Sequence, residues 1–192
     1  MNKITGSVVS LYVGTVGALK KHAHDSIELE LDGVVGDRHR GLSRQAWEGD
    51  KQIEGTWRRN ERMWSAVSVE ELAFIEQGMN LAEPLDASSL GANLCLQGIP
   101  NLSQLGRGTM LRFPSGAELM IEEYNPPCTD MGEELAGMHT EKSGKSIAGS
   151  AFSKAGKFSR GVVGIVEVAG TVSVGDVVCV NPESLPKWLR RL

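Results

Sequence analysis

The sequence predicts a mainly-β protein, a strand-rich β-barrel with a few peripheral helices. Three observations point there. About seven short runs of β-branched and aliphatic residues are separated by glycine- or proline-containing turns. Only two segments have convincing helical character. Strands and helices do not alternate along the chain as a doubly wound α/β sheet requires. At 192 residues the chain fits one domain, and a domain of this size buries about 70% of the surface its unfolded chain exposes. No linker, repeat or low-complexity tract divides it, so residues 1–192 are expected as a single domain with a core over about 4–181 and a short C-terminal tail.

Ile4 to Val13 opens as a strand of small and β-branched residues. A basic loop, Lys20-Lys21-His22-Ala23-His24, follows. Ile27, Leu29 and Leu31 then alternate with Glu28, Glu30 and Asp32, the period of a half-buried strand. Gly33 leads into the loop Gly36-Asp37-Arg38-His39-Arg40-Gly41. From Leu42 to Arg62 the chain is charged and aperiodic, a long surface excursion of the kind that is functional or mobile. Met63 to Val67 reads as a short strand, and Ser68 and Glu71 have capping-box spacing for a helix from Val69 to Gln77 that stops at Gly78. Asn93 to Gln97 is a strand. Thr109 to Phe113 and Glu118 to Glu123 are two more, joined by Pro114-Ser115-Gly116. After Pro126-Pro127, good helix formers predict a helix over Thr129 to Met138. Val162 to Val168 and Val177 to Val180 close the barrel, with turns at Ala169-Gly170 and Gly175-Asp176, and Pro186 to Leu192 is expected as a basic helical turn.

Composition excludes several function classes. With 24 acidic and 20 basic side chains the net charge is -4, a poor footprint for a nucleic-acid binder. No run of about 20 apolar residues offers a membrane span and no secretory h-region is found. The three cysteines are odd in number and widely spaced, which disfavours a secreted disulfide framework and predicts a cytoplasmic protein.

Cys128 is the most informative position for chemistry. It stands between a stiff proline pair and a predicted helix, and a helix N-terminus favours thiolate, the form that binds soft metals. The competing reading is a small packed hydrophobe; for Cys95 and Cys179, inside strands, that reading is preferred. Lys20, Lys21, Arg38, His39, Arg40 and Arg160 all adjoin strands. In a barrel such loops gather at a rim, where arginine forks and glycine-flanked amides suit phosphate. The bland alternative for each is a solvated surface. His22, His24 and His39 with Cys128 match no established zinc spacing. Trp57, Met63 and Trp64 are assigned to packing.

Four ordered stretches carry a family resemblance: Leu31 to His39, Leu90 to Gly98, the Pro127-Cys128 step, and Arg160 to Glu167 with Val174-Gly175-Asp176. Together they resemble the MOSC domain, found at the C-terminus of molybdenum-cofactor sulfurases and as stand-alone bacterial proteins. The resemblance implies a strand-rich barrel holding a molybdenum-pterin cofactor, with Cys128 as metal ligand and catalytic residue. It implies cofactor contacts from Lys20, Arg38, His39, Asn93 and Arg160. Related enzymes reduce N-hydroxylated bases and amidoximes; no flavin or iron–sulfur motif is present here, so the expected partners are a small-molecule substrate and an electron-donor protein. Other relatives are sulfur carriers, for which the partner is a molybdoenzyme and the cysteine carries a persulfide. A third reading is a non-enzymatic barrel that binds other molecules. The chain departs from many relatives in having Gly91-Ala92-Asn93 rather than Gly-Glu-Asn, and Asn125-Pro126-Pro127 before the cysteine. No pyridoxal-phosphate site is expected in this chain.

Overall fold

The computed structural model describes residues 4–15 and 20–182; the expected basic turn at 186–192 lies outside them. The strands are β1 (Ile4–Val13), β2 (His22–His24), β3 (Ser26–Glu30), β4 (Gly33–Val34), β5 (Ser43–Gln45), β6 (Trp57–Arg59), β7 (Trp64–Ser68), β8 (Leu94–Gln97), β9 (Met110–Arg112), β10 (Glu118–Tyr124), β11 (Val162–Val168), β12 (Gly170–Ser173) and β13 (Val177–Asn181). The helices are α1 (Val69–Met79), α2 (Thr129–Met138) and α3 (Ser150–Ala155). The main sheet runs β13-β9-β10-β11-β7-β8-β1-β2, and β13 pairs back onto β1, so seven strands close a barrel with β2 extending from it. The protein is therefore mainly β and barrel-built, as the sequence predicts. Closure removes the exposed edges that an open sheet would present.

All the ladders of the barrel are antiparallel except β7 with β8. A parallel pair needs a crossover, and α1 lies on it. The interior is filled by Leu11, Trp64, Leu94, Leu111, Leu119 and Ile121, each fully buried. Trp64 also satisfies its indole N–H, which donates to the Ile165 carbonyl at 2.8 Å. A second core joins the helices to the outside of the barrel through Ile75, Leu90, Leu135 and Phe152.

Ser68 caps α1, its hydroxyl accepting from the Glu71 amide at 3.2 Å. A buried cap of this kind is worth about 1 kcal/mol, so Ser68→Ala is expected to lower stability by that amount in denaturant unfolding. Gly78 does not stop the helix. It lies inside α1, where an added Cβ would come within 2.9 Å of Ala155 Cβ, so the glycine serves close packing of α1 on α3, and Asn80 caps the helix in the left-handed conformation. Leu31 continues the alternation of Ile27 and Leu29 in sequence only: the strand ends at Glu30, and Leu31 turns outward. Trp57, expected to pack, is 68% exposed, whereas Met63 and Trp64 are buried. The segment from Leu42 to Arg62 is ordered as the hairpin β5–β6.

Candidate functional site

The loop after β4 is organised by one carboxylate. Asp37 is buried and accepts five hydrogen bonds: from the Gly14 amide (3.1 Å), Lys21 Nζ (2.7 Å), the His39 amide (3.0 Å), His39 Nδ1 (3.1 Å) and Asn93 Nδ2 (2.8 Å). Burial alone pushes a carboxyl up, but the hydrogen bonds from His39 and the Lys21 charge outweigh it and hold Asp37 well below the usual carboxylate range. Burial pushes Lys21 down to about 8, with Asp37 opposing and Arg38 and Arg160 adding to the fall. The His39 imidazole is likewise lowered, by burial first, with Asp37 opposing. This hub turns the backbone so that Arg38, His39 and Arg40 all face one cavity of about 450 Å³.

Cys128 lines the same cavity. It is the N-cap residue of α2, with extended backbone, and its carbonyl accepts from the Gly132 amide at 3.2 Å. The helix is held close because Gly132 has no Cβ: one placed there would come within 2.1 Å of the Gly149 carbonyl.

Arg160 enters from the turn before β11. Gly161 has φ +91°, and a Cβ on it would lie 2.0 Å from the Ala66 carbonyl oxygen, so only glycine lets the chain pass there. The Arg160 side chain is buried; Nη2 donates to the Leu90 carbonyl at 3.0 Å, while Nε has no partner. Burial pushes the guanidinium down to about 10, Arg62 adds to that, and Cys128 and Tyr124 partly offset it. A buried cation with an unsatisfied N–H is costly unless an anion meets it.

The hairpin β5–β6 and its flanks add Arg44, Trp47, Asn60 and Arg62 to the wall. Its shape is set by ion pairs: Asp50 receives Arg44 and Arg58, each at 2.6 Å, and Glu61 also receives Arg44. Asn60 ties the hairpin to the Asp37 loop, donating to the His39 and Gly41 carbonyls at 2.8 Å each. Five arginines and no carboxylate line the cavity. An adjoining cavity of about 720 Å³ shares Trp47, Arg62 and Pro126 with it, but there carboxylates such as Asp50, Glu61 and Glu122 offset the arginines and Cys128 is not in the wall.

Of the residues expected from sequence, Arg38, His39, Cys128 and Arg160 therefore share one cavity. Lys20 is exposed and not in its wall; the neighbouring Lys21 is the buried one, directed at Asp37. Asn93 is fully buried beneath the cavity, donating to the Tyr12 carbonyl and to Asp37 and accepting from the Ser65 amide, so it positions the hub and does not line the cavity. His22 and His24 lie exposed on β2, and among the described residues no group of three or more His, Cys, Asp or Glu side chains is arranged around a common metal position. Sequence reading missed Asp37 as the hub, although it sits in the Gly-Asp-Arg-His run, and missed Arg44, Trp47 and Arg62.

A closed seven-stranded barrel with a half-buried cysteine at a helix cap facing an arginine-lined cavity places the protein among small β-barrel proteins. Among them, the chain belongs to the MOSC domain family, whose model matches residues 37–179. It is 33% identical over 180 residues, 93% of this chain and 92% of the relative, to a Bacillus subtilis (strain 168) protein described as "Putative metal-sulfur cluster biosynthesis proteins YuaD". The crystal structure of YuaD from Bacillus subtilis superposes with a TM-score of 0.88 at 31% identity, covering 95% of this chain and 99% of that one. The structures of YiiM from Escherichia coli (TM-score 0.55, 17% identity, 96% of this chain and 71% of that one) and from Geobacillus stearothermophilus (0.56, 14%, 92% and 75%) share the fold. Among the described residues no helix is long and apolar enough to cross a membrane.

Proposed function

We propose that this protein binds a molybdenum-pterin cofactor in the 450 Å³ cavity, with the Cys128 thiolate as the protein ligand to the metal. The observation that carries the reading is the unpaired, buried Nε of Arg160 in a cavity that also contains Cys128 and four further arginines and no carboxylate. Arg40, Arg44 and Arg62 are already ion-paired with Asp32, Asp50 and Glu123, so it is the buried Arg160 guanidinium beside a soft donor that suits a group with metal at one end and phosphate at the other. The volume is in the range of small-molecule and cofactor sites. Arg160 and Arg38 would hold the phosphate. His39, whose Nδ1 is engaged by Asp37, would offer Nε2 to the ligand. Lys21 and Asn93 support the site through Asp37. Bound there, the cofactor supplies two-electron chemistry that no side chain provides.

The reaction that follows is reduction of an N-hydroxylated base or amidoxime: the N–O bond breaks, two electrons come from an external donor protein, two protons are taken up, and water leaves. The adjoining cavity gives a second molecule room to approach past Trp47 and Arg62. A second reading is a carrier of sulfur or cofactor for a molybdoenzyme: the description of the Bacillus subtilis relative names metal-sulfur cluster biosynthesis, and a helix-capping thiol suits persulfide exchange. In either case the protein is expected in the cytoplasm.

Molybdenum and pterin content after expression in a cofactor-producing host tests the reading. The native chain is expected to carry close to one metal per chain and Cys128→Ala background levels only. Equal metal in both would remove Cys128 from the site. Loaded protein that turns over a hydroxylamine with an artificial reductant is a reductase; loaded protein that only surrenders its cofactor to an apo-molybdoenzyme is a carrier.

A further inference from the structure

Glu71 is a buried carboxylate that the cavity does not use. It stands in the first turn of α1, 3% exposed, and its two oxygens accept from the Ser103 amide at 2.8 Å and the Ser103 hydroxyl at 2.9 Å. The Ser103 oxygen in turn accepts from the Gly161 amide at 2.6 Å. Gly161 directly follows Arg160, at the one turn whose left-handed backbone aims that guanidinium into the cavity. A three-member chain of hydrogen bonds thus runs from a helix on the outside of the barrel to the backbone that carries Arg160.

We propose that Glu71 is a positioning residue whose protonation state, relayed by Ser103 and Gly161, sets the placement of Arg160 in the cavity. Ionised, Glu71 accepts the hydrogen bond from the Ser103 hydroxyl and polarises that oxygen, so it accepts more strongly from Gly161. Protonated, the carboxyl becomes a donor to the same oxygen, the Ser103 O–H must rotate away, and the bond to Gly161 weakens. Burial pushes the Glu71 carboxyl up to about 7, against the hydrogen bonds from Ser103, with the Glu70 charge adding to the rise. The charged and titratable groups facing it are Glu70 on the same helix, itself bonded to the Gly98 amide, and Tyr124 from β10, which also feels Arg160. Because the folded pKa lies above the ordinary value of 4.5, the folded state holds this proton more tightly than the unfolded chain. Stability therefore falls as pH rises between those limits.

This regulation bears on the cofactor site proposed above, but its test needs no cofactor. In the apo protein, the ¹⁵N–¹H resonance of Gly161 followed from pH 5 to 9 is expected to shift with a midpoint near neutrality, shared with the Glu71 side-chain carboxyl carbon. Glu71→Gln should flatten the Gly161 curve. Ser103→Ala should leave the carboxyl titrating while uncoupling Gly161 from it, which keeps the test open if Glu71→Gln folds poorly. A Gly161 amide that does not respond to pH, or that still titrates in either variant, overturns the relay. Absence of metal from the native protein would overturn the cofactor reading and leave this result standing.

Discussion

Asp37→Ala is expected to cost the fold about 3–5 kcal/mol, the range for removing one partner of a buried ion pair. Two terms combine. The Lys21 ammonium, with a side chain fully excluded from solvent, is left without a counter-charge, and donors from Gly14, His39 and Asn93 lose their acceptor. Denaturant midpoints at pH 7 measure the loss. Adding Lys21→Met should recover a large part of it, because the unpaired charge dominates; a double-mutant cycle isolates that coupling. If the second substitution recovers nothing, the four hydrogen bonds from Gly14, His39 and Asn93 rather than the ion pair hold the loop. Arg38 and His39 lose their anchor in either variant, so ligand binding is expected to stay impaired even where stability returns.

Most of the barrel is readable from local pattern. β1, α2 and β11 have the bounds that β-branched runs and helix formers predict, because their burial follows their own residues. What local pattern misses depends on contacts distant in sequence. β12 begins at Gly170, which reads as a turn, yet the strand exists through pairing with β3, from Gly170 opposite Leu29 to Ser173 opposite Ser26. α3 is six residues long, too short to display a helical period. The site divides in the same way. Cys128, Arg38 and Arg160 stand beside strands and so at a rim, which makes them visible. Lys20 and Lys21 are adjacent and chemically equal, and only the position of Asp37 decides which of them is buried. The wall from Arg44 to Arg62 is aperiodic because ion pairs around Asp50 and Glu61, not a hydrophobic face, give it shape. Asn93 is visible as an amide of interest, but its role beneath the cavity follows from three-dimensional neighbours alone.

Arg160→Met is expected to separate stability from binding. In the ligand-free protein the guanidinium is buried, carries an unpartnered Nε and feels the like charge of Arg62. Replacing it with an apolar side chain of similar length removes the cost of desolvating a charge, at the smaller cost of leaving the Leu90 carbonyl without its donor. The unfolding free energy at pH 7 should rise by about 1–2 kcal/mol on that balance. Binding should move the other way. Charge-assisted hydrogen bonds are worth about 1.5–3 kcal/mol, so affinity for an anionic ligand, with inorganic phosphate as the probe, should fall on the order of 10- to 100-fold. Gain of stability with loss of binding is the signature of a residue kept for its ligand at the expense of the fold. Loss of stability with unchanged phosphate affinity would make Arg160 a structural tie to Leu90, and would move the anion site to the arginines of the Asp37 loop and the β5–β6 hairpin.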